Sequence, residues 1–364
     1  MTKIPFLENE MQIVKTKMYF GQEVAMYDTP VSPLENMMRT LNNEPLWQIA
    51  DRDYTYLYPL CMPDNKAKGN VSDVKLPPEE LGGIDMFGIE WEYQADIGGS
   101  TVHPGKPLLA NANEWKEKVK FPTEEEIRNW TWGESKERMA KALEDECFGE
   151  VVICTGWFER LISFMDFVEA ACALIDPSQK DAVKELFDRL SDLYIFIIDR
   201  FVEVFGDKVH CVCLHDDWGQ QRGQLISVDT AREMILPYMK KVIDHLHAIG
   251  LKAEVHSCGK VEPFVPVFIE AGFELLECQK ILDFDEVVPK YGDRIKVHMP
   301  PENVPAEDAP DEAFRQCARE YVDRVVALGN PVILDTYYPG YLAPAFYEEL
   351  YRYSRIRFSE NAAE

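Results

Sequence analysis

The sequence has little basic charge compared with its acidic charge. Its 364 residues include 38 Lys and Arg against 64 Asp and Glu, which gives a formal net charge of -26 at pH 7. A surface this acidic repels the phosphates of nucleic acids and anionic membranes, and it disfavours polyanionic substrates. We therefore expect no nucleic-acid or membrane partner, and we expect any protein partner to present a complementary basic patch.

Long hydrophobic runs and a compact cysteine framework are also missing. No stretch reaches the length of a membrane-spanning helix, and the opening residues, MTKIPFLENEMQIVKTKMYFG, contain no apolar segment typical of a secretory signal. The nine cysteines are scattered along the chain instead of lying at the short spacings of small secreted domains. These features predict a reduced, cytoplasmic protein.

Motifs that bind nucleotides or a corrinoid are absent as well. No glycine-rich dinucleotide fingerprint or phosphate loop follows any predicted strand. The segment DHLHAIG (244–250) approaches the Asp-x-His-x-x-Gly pattern of corrinoid ligands, but Asp244 precedes His247 by three residues and not by two. We expect the histidines of this amphipathic helix to be surface and core residues, and the chain to carry no cobalamin of its own.

Strands alternate with helices from about residue 150 onward, beginning with the buried strand EVVICTG (150–156). Such alternation predicts a parallel sheet with right-handed crossovers. The number of strand–helix units suits a (β/α)8 TIM barrel, formed as a single domain over residues 1–364 with extensions and insertions in residues 1–145. An open doubly wound sheet is the alternative. The predicted elements after the first are strands at 251–257, 273–279, 294–299 and 331–335, and helices at 183–206, 227–250, 260–271, 283–291, 310–328 and 342–354.

Polar residues gather where the predicted strands end. The carboxyl ends of the strands carry the active site in a (β/α)8 barrel. We therefore expect the chemistry of this protein at that end of the strands. The clusters that fall there are HDDWGQQ (215–221), HSCG (256–259), ECQK (277–280), HMPPEN (298–303) and DTYYPG (335–340).

His256 and Cys258 are the strongest metal candidates. Residues two apart in a strand share a face, so the imidazole and the thiol could bind one ion together. These two groups suit zinc, which in catalytic sites takes three protein ligands and leaves one position open. For the third ligand, strand alternation favours Glu277 over Cys278, with Asp335 as a further candidate. A buried thiol beside a satisfied histidine is the alternative interpretation.

Three polar residues, His215, Asp216 and Asp217, follow another predicted strand, and we treat them as catalytic candidates. One carboxyl could donate a proton, orient a metal-bound histidine or bind a substrate hydroxyl. The alternative is a loop that caps the next helix. Earlier in the same strand, Cys211 and Cys213 are expected to lie in the core.

From about residue 40 onward the chain resembles the uroporphyrinogen decarboxylase superfamily. The resemblance is carried by EPLWQIADRDY (44–54), LHDDWGQQRGQLIS (214–227) and AEVHSCGKVEPFVPVFIEAGFELLECQ (253–279). The third stretch is similar to the region of the corrinoid-dependent methyltransferases that holds their zinc through His-x-Cys. This resemblance implies a barrel with its site at the strand ends and a zinc ion bound there.

The sequence departs from the decarboxylases in the family. Those carry an Arg-Gln-Ala-Gly-Arg motif whose arginines bind the carboxylates of the porphyrinogen. The matching place here reads IADRD (49–53), in which only Arg52 remains and acids flank it. A porphyrinogen needs a cationic cleft, so this departure disfavours a decarboxylase.

The sequence also departs from the methyltransferases that methylate coenzyme M, which are expected to take a last zinc cysteine from the final strand. That region reads VILDTYYPG (332–340) and has no cysteine. Zinc with fewer thiolates and more oxygen ligands is a stronger Lewis acid for an ether oxygen. The pairing of HDDWG with HSCG is similar to that of O-demethylase methyltransferases. We therefore expect transfer of methyl from an aryl methyl ether to the cobalt(I) of a separate corrinoid protein, with Asp216 or Asp217 as proton donor.

An aromatic substrate would need a pocket of its own. The segment GGSTVHPG (98–105) could cover it, although glycine and proline there also fit a plain turn. The predicted substrate-binding residues are Trp47, Tyr54, Gln279 and His298, with Tyr337, Tyr338, Trp157 and Phe158 as lesser candidates. Ordinary core packing is the alternative for the aromatic ones. Three other functions remain open: methyl transfer from a corrinoid to a thiol or tetrahydrofolate, decarboxylation, and non-catalytic binding.

Overall fold

The structure is a computed structural model that describes residues 4–19, 22–96, 98–336 and 342–361. The chain divides into two compact units. Unit 1 consists of Met1–Thr55, Asp145–Phe148 and Glu274–Glu364, and unit 2 consists of Tyr56–Glu144 and Gly149–Phe273. We describe each unit by itself, and the single-domain organisation stays a prediction.

Strands and helices alternate through most of the described residues. The strands are β1 (Ile13–Tyr19), β2 (Gln22–Tyr27), β3 (Tyr54–Tyr56), β4 (Gly83–Ile84), β5 (Glu90–Gln94), β6 (Gly99–Val102), β7 (Phe148–Ile153), β8 (Cys211–His215), β9 (Gly219–Gln220), β10 (Gly223–Gln224), β11 (Lys252–Ser257), β12 (Leu275–Cys278), β13 (Lys296–Met299) and β14 (Ile333–Leu334). The helices are α1 (Pro33–Leu41), α2 (Pro63–Lys68), α3 (Trp115–Lys118), α4 (Glu124–Arg128), α5 (Trp132–Met139), α6 (Trp157–Met165), α7 (Phe167–Ala173), α8 (Lys180–Phe205), α9 (Val228–Met234), α10 (Leu236–Ala248), α11 (Val265–Ala271), α12 (Phe284–Tyr291), α13 (Asp311–Leu328) and α14 (Pro344–Asn361).

Unit 2 is built on parallel strands. β7 pairs with β8 and β8 pairs with β11, with Val152 opposite Cys213 and His215 opposite His256. β7 is buried along its whole length because helices follow each strand and cover the sheet. The carboxyl ends of these strands therefore lie side by side. An antiparallel meander, β4–β5–β6, precedes them in the chain.

Unit 1 repeats the same parallel pattern. β12 pairs with β13 and β13 pairs with β14, so that Leu275 lies opposite Lys296 and His298 opposite Ile333. β1 and β2 form an antiparallel hairpin. Parallel strands followed by helices are what the sequence pattern predicted for a (β/α) fold.

One predicted helix is interrupted. The pattern predicted a single helix over residues 227–250, whereas the structure has α9 and then α10, with Pro237 in the first turn of α10. Proline has no N–H to donate to the preceding turn, so the regular ladder of hydrogen bonds stops there.

The segment 98–105, considered as a substrate cover, contributes β6 to the meander instead of an irregular loop.

No membrane-crossing helix is found among the residues described, since none of their helices is both long enough and apolar enough.

Lys296 generates a prediction about the pH dependence of stability. Its side chain is buried in unit 1, where the ammonium donates to the Gly292 carbonyl and, at 2.7 Å, to Asn43 Oδ1. Burial lowers the pKa of Lys296 from 10.5 to about 8. Between these two pH values the unfolded chain binds more protons than the folded chain, so folding stability rises with pH.

We expect this rise to depend on Lys296. From pH 8 to 10.5 the free energy of unfolding of the wild type should gain roughly 3 kcal/mol relative to Lys296→Met. Urea unfolding of both proteins across this range measures the difference. Curves for the two proteins that run parallel would contradict a depressed pKa at this lysine.

Candidate metal centre at the strand ends of unit 2

Two histidines face each other at the ends of neighbouring strands. His215 is the last residue of β8, and His256 lies opposite it in β11. Their rings stack, with centroids 4.2 Å apart and planes 12° apart. The parallel register therefore brings together two imidazoles that the sequence separates by forty residues.

A thiol and a carboxylate join the histidines. His256 Nε2 lies 3.4 Å from Cys258 Sγ and 3.9 Å from Asp217 Oδ1. Asp217 also accepts a hydrogen bond of 2.7 Å from the Cys258 backbone N–H. Atoms of His215, Asp217 and His256 that can ligate a metal all lie within 4.8 Å of one another. We call His215, Asp217, His256 and Cys258 the donor cluster.

The chemistry of the donor cluster fits a metal such as zinc. Imidazole, thiolate and carboxylate are all zinc ligands, and a catalytic site needs three of them. Burial raises the pKa of the Cys258 thiol, although the neighbouring His256 opposes the shift. A half-buried thiolate in this place would be stabilised by a cation, which is what metal binding supplies.

A glycine turn brings the donor cluster together. Gly259 has a φ of +81°, and a Cβ on it would lie 2.3 Å from the backbone nitrogen of Gln220. The Lys260 N–H donates to the Gln220 carbonyl at 3.1 Å across this contact. The backbone after Cys258 can therefore approach β9 this closely only because residue 259 is glycine.

Two residues that the sequence analysis missed complete the surroundings of His215. Glu159 Oε2 lies 2.6 Å from His215 Nδ1, and Glu159 Oε1 lies 2.9 Å from Lys68 Nζ. Burial alone would raise the pKa of Glu159, but the Lys68 ammonium and the hydrogen-bonded His215 outweigh burial and hold that pKa well below its usual range. Burial likewise opposes charge on Lys68, yet the carboxylates of Glu159 and Asp217 raise its pKa.

A signal for Glu159 was present in the sequence. Glu159 lies in the run GWFER (156–160), just after the carboxyl end of β7. Residues at the carboxyl ends of the other strands were predicted to be functional, and the same rule applies to this position. Lys68 ends α2, in the part of the chain whose pattern gave no regular elements, so no sequence signal marked it.

Asp216 anchors the start of a helix. Its carboxylate accepts hydrogen bonds from the backbone N–H groups of Phe158 (3.1 Å) and Glu159 (2.8 Å) and from Trp218 Nε1 (2.9 Å). Burial, together with the charge of Glu159, raises the pKa of Asp216 to about 7. These contacts resemble helix capping, which was the alternative interpretation of the loop after β8. They connect that loop to the first turn of α6. The catalytic role predicted for Asp216 stays a prediction.

The candidates on β12 alternate as strand parity requires. Glu277 is half-buried, whereas Cys278 is fully buried and its Sγ donates to the His298 carbonyl at 3.5 Å. Gln279 is half-buried just beyond the strand. These residues belong to unit 1, so the role of Glu277 as a metal ligand and that of Gln279 in substrate binding stay predictions. Asp335 is buried in the same unit.

The aromatic candidates of unit 1 are buried. Tyr54 OH lies 3.4 Å from His298 Nε2, and the two rings meet edge to face at 5.8 Å. Trp47 packs against Tyr351 with ring centroids 5.5 Å apart. Their predicted contacts with substrate stay predictions, as does that of His298. Tyr337 and Tyr338 lie outside the described residues.

The aromatic candidates of unit 2 pack in its interior. Trp157 is fully buried and donates from Nε1 to Ser191 Oγ at 3.0 Å, and Phe158 beside it is fully buried as well. Cys211 and Cys213 are buried in β8, as predicted for core residues. His245, on the amphipathic helix α10, lies 2.7 Å from Asp199 and apart from the donor cluster.

Comparison with known proteins agrees with this description. Residues 154–329 match the family model described as Uroporphyrinogen decarboxylase (URO-D), which confirms the resemblance predicted from the sequence. A solved methyltransferase from Methanosarcina mazei is similar in fold, with a TM-score of 0.54 and 15% identity, covering 90% of this chain and 99% of that chain. The TIM-barrel-like (β/α) fold predicted from the sequence is thereby confirmed.

Other solved structures resemble this chain only weakly. An intracellular xylanase from Thermoanaerobacterium saccharolyticum has a TM-score of 0.35 and 11% identity, over 57% of this chain and 71% of that chain. A class V chitinase from Pseudomonas fluorescens has a TM-score of 0.33 and 12% identity, over 60% of this chain and 84% of that chain. No curated protein matches the sequence.

The two adjacent acids should respond differently to replacement by an amide. At pH 8, Asp216→Asn should lower the free energy of unfolding by about 1–3 kcal/mol, because an amide cannot accept from all three buried donors. Asp217→Asn is the matched control, since its amide oxygen can still accept from the Cys258 N–H. Thermal and urea unfolding measure both variants. Loss of stability in Asp217→Asn alone would contradict the anchoring role of Asp216.

Proposed function

We propose that the protein is a zinc-dependent methyltransferase that takes the methyl group of an aryl methyl ether and passes it to the cobalt(I) of a separate corrinoid protein. The observation that carries the proposal is the donor cluster, in which nitrogen, oxygen and sulfur ligands converge at the ends of β8 and β11. The family match over residues 154–329 and the fold shared with a methyltransferase support a function of the methyltransferase type.

The zinc would be held mainly by residues of unit 2. His256 and Cys258 supply two ligands, and His215 supplies a third from within the same unit. Glu277 stays a predicted ligand in addition to these. A set with one thiolate leaves the ion more electrophilic than a thiolate-rich set does. When bound, zinc acts as a Lewis acid towards the ether oxygen, so that the phenolate becomes a better leaving group.

Asp217 is the acid that we assign to proton transfer. Its carboxylate is half-buried at the donor cluster, whereas both oxygens of Asp216 are occupied by buried donors. The phenolate that leaves needs one proton, and an acid within reach of that oxygen can supply it. The methyl group is transferred to the cobalt of the corrinoid protein. The acidic surface of this chain would favour docking of a partner that presents basic charge.

The surroundings of Arg52 argue against a decarboxylase. Arg52 donates to the Ala25 carbonyl at 2.7 Å, and its guanidinium lies 4.2 Å from the ring centroid of Tyr347. These contacts engage the one arginine that remains at the place of the porphyrinogen-binding motif. The neighbouring Asp51 is buried and accepts from the Thr336 N–H at 2.7 Å.

Metal content tests the ligands directly. Purified protein should bind about one zinc per chain. His256→Ala and Cys258→Ala should each lower zinc content well below wild type, because each removes a ligand. His245→Ala is the matched control and should keep its zinc, since His245 pairs with Asp199 at the surface. Mass spectrometry of the metal after dialysis gives the numbers. Full zinc in both ligand variants would show that the ligands lie elsewhere.

The reaction itself is the second test. With a corrinoid protein reduced to cobalt(I) and a panel of aryl methyl ethers, the protein should yield phenol and methylcobalt(III) in equal amounts. Removal of zinc should slow the reaction by at least about 100-fold, because Lewis-acid assistance is worth several kcal/mol. The absorption spectrum of the corrinoid follows the reaction.

Other outcomes would select another function. Methylation of a thiol or of tetrahydrofolate by methylcobalamin, without reaction of any ether, would identify the second half-reaction of corrinoid-dependent methyl transfer. Release of carbon dioxide from uroporphyrinogen would identify a decarboxylase. Zinc binding with neither kind of turnover across the panel would overturn the aryl ether as donor.

A further inference from the structure

The geometry around Glu159 determines where His215 keeps its proton. Both carboxylate oxygens of Glu159 accept hydrogen bonds, Oε1 from Lys68 Nζ at 2.9 Å and Oε2 from His215 Nδ1 at 2.6 Å. A carboxylate paired with an ammonium is ionised and can only accept. The hydrogen of the short contact therefore belongs to Nδ1 of the imidazole.

We propose that Glu159, paired with Lys68, is a positioning residue that fixes the tautomer of His215. With the proton on Nδ1, the neutral ring has its lone pair on Nε2, which is the form that ligates a metal. Nδ1 is occupied by Glu159, so Nε2 is the atom that His215 offers to the donor cluster. The inference rests on the proposed function for the identity of the ion, but the tautomer itself does not.

The same geometry gives a role to the N-terminal insertions. Lys68 is buried at the end of α2, where its ammonium lies 4.7 Å from the ring centroid of Trp91 in β5. Next to Glu159, Arg160 is fully buried between the carboxylates of Asp64 and Asp85. Contacts from α2 and the meander thus surround Lys68 and Arg160, the residue next to Glu159, so that the segment before β7 supports the pair beside the donor cluster.

The tautomer can be measured in the metal-free protein. Protein labelled with ¹⁵N-histidine gives two-bond proton–nitrogen correlations that show which ring nitrogen carries the hydrogen, and His215→Gln assigns the signal. We expect the wild type to carry the proton on Nδ1. In Glu159→Gln an amide N–H can donate to Nδ1, so a fraction of the rings should move the proton to Nε2.

Lys68→Met provides a second route to the same change. Without the ammonium, Oε1 of Glu159 loses its hydrogen-bond partner and the carboxylate is no longer held against Nδ1, so the preference for the proton on Nδ1 should weaken. Both variants should weaken zinc binding by roughly 10–100-fold while one zinc per chain is still bound at saturation. The matched controls are Lys66→Met on the exposed side of α2 and Glu169→Gln on α7, both exposed, and they should match the wild type.

The two kinds of failure are distinguishable. A wild-type His215 with its proton on Nε2, or unchanged zinc affinity in Glu159→Gln and Lys68→Met, would overturn the positioning role. If the tautomer is as stated but the protein binds no zinc, the proposed function fails and the role of the pair in orienting the histidine stands. Should either variant not fold, the wild-type tautomer and the other variant still decide the question.

Discussion

The arrangement of unit 2 depends on the buried carboxylate of Asp216. Three donors converge on it, two from the first turn of α6 and one from the Trp218 indole, so the loop after β8 and the start of α6 form one rigid corner. Glu159 belongs to that first turn, and the anchor therefore sets the distance between Glu159 and His215. The positive end of the helix dipole adds to the stabilisation of the carboxylate.

A series of paired polar groups extends outward from this corner. Lys68 neutralises Glu159, which accepts from His215, and the imidazole in turn stacks on His256. Asp216 has a set of donors and Glu159 has a partner of opposite sign, which is the condition for keeping ions out of water at acceptable cost. The donor cluster is consequently held in place by its surroundings.

Much of the fold could be predicted from the sequence because hydrophobic periodicity determines the positions of the strands and helices. The strand that bears His256 was predicted within one residue of its observed bounds, and strand parity separated Glu277 from the buried Cys278. The pattern could not tell Asp216 from Asp217, since adjacent acids look alike until their hydrogen bonds are known. The role of Lys68 could not be predicted from the sequence for another reason. Its side chain contacts residues far along the chain, and no local sequence pattern encodes such contacts.

The division of the chain into units has a consequence for biosynthesis. Unit 2 ends at Phe273, whereas the last part of unit 1, residues 274–364, follows it in the sequence. A growing chain that has left the ribosome as far as residue 273 already contains Glu159, His215, Asp217, His256 and Cys258. Translation order therefore completes the sequence of the donor cluster before the remaining strands of unit 1 have been made.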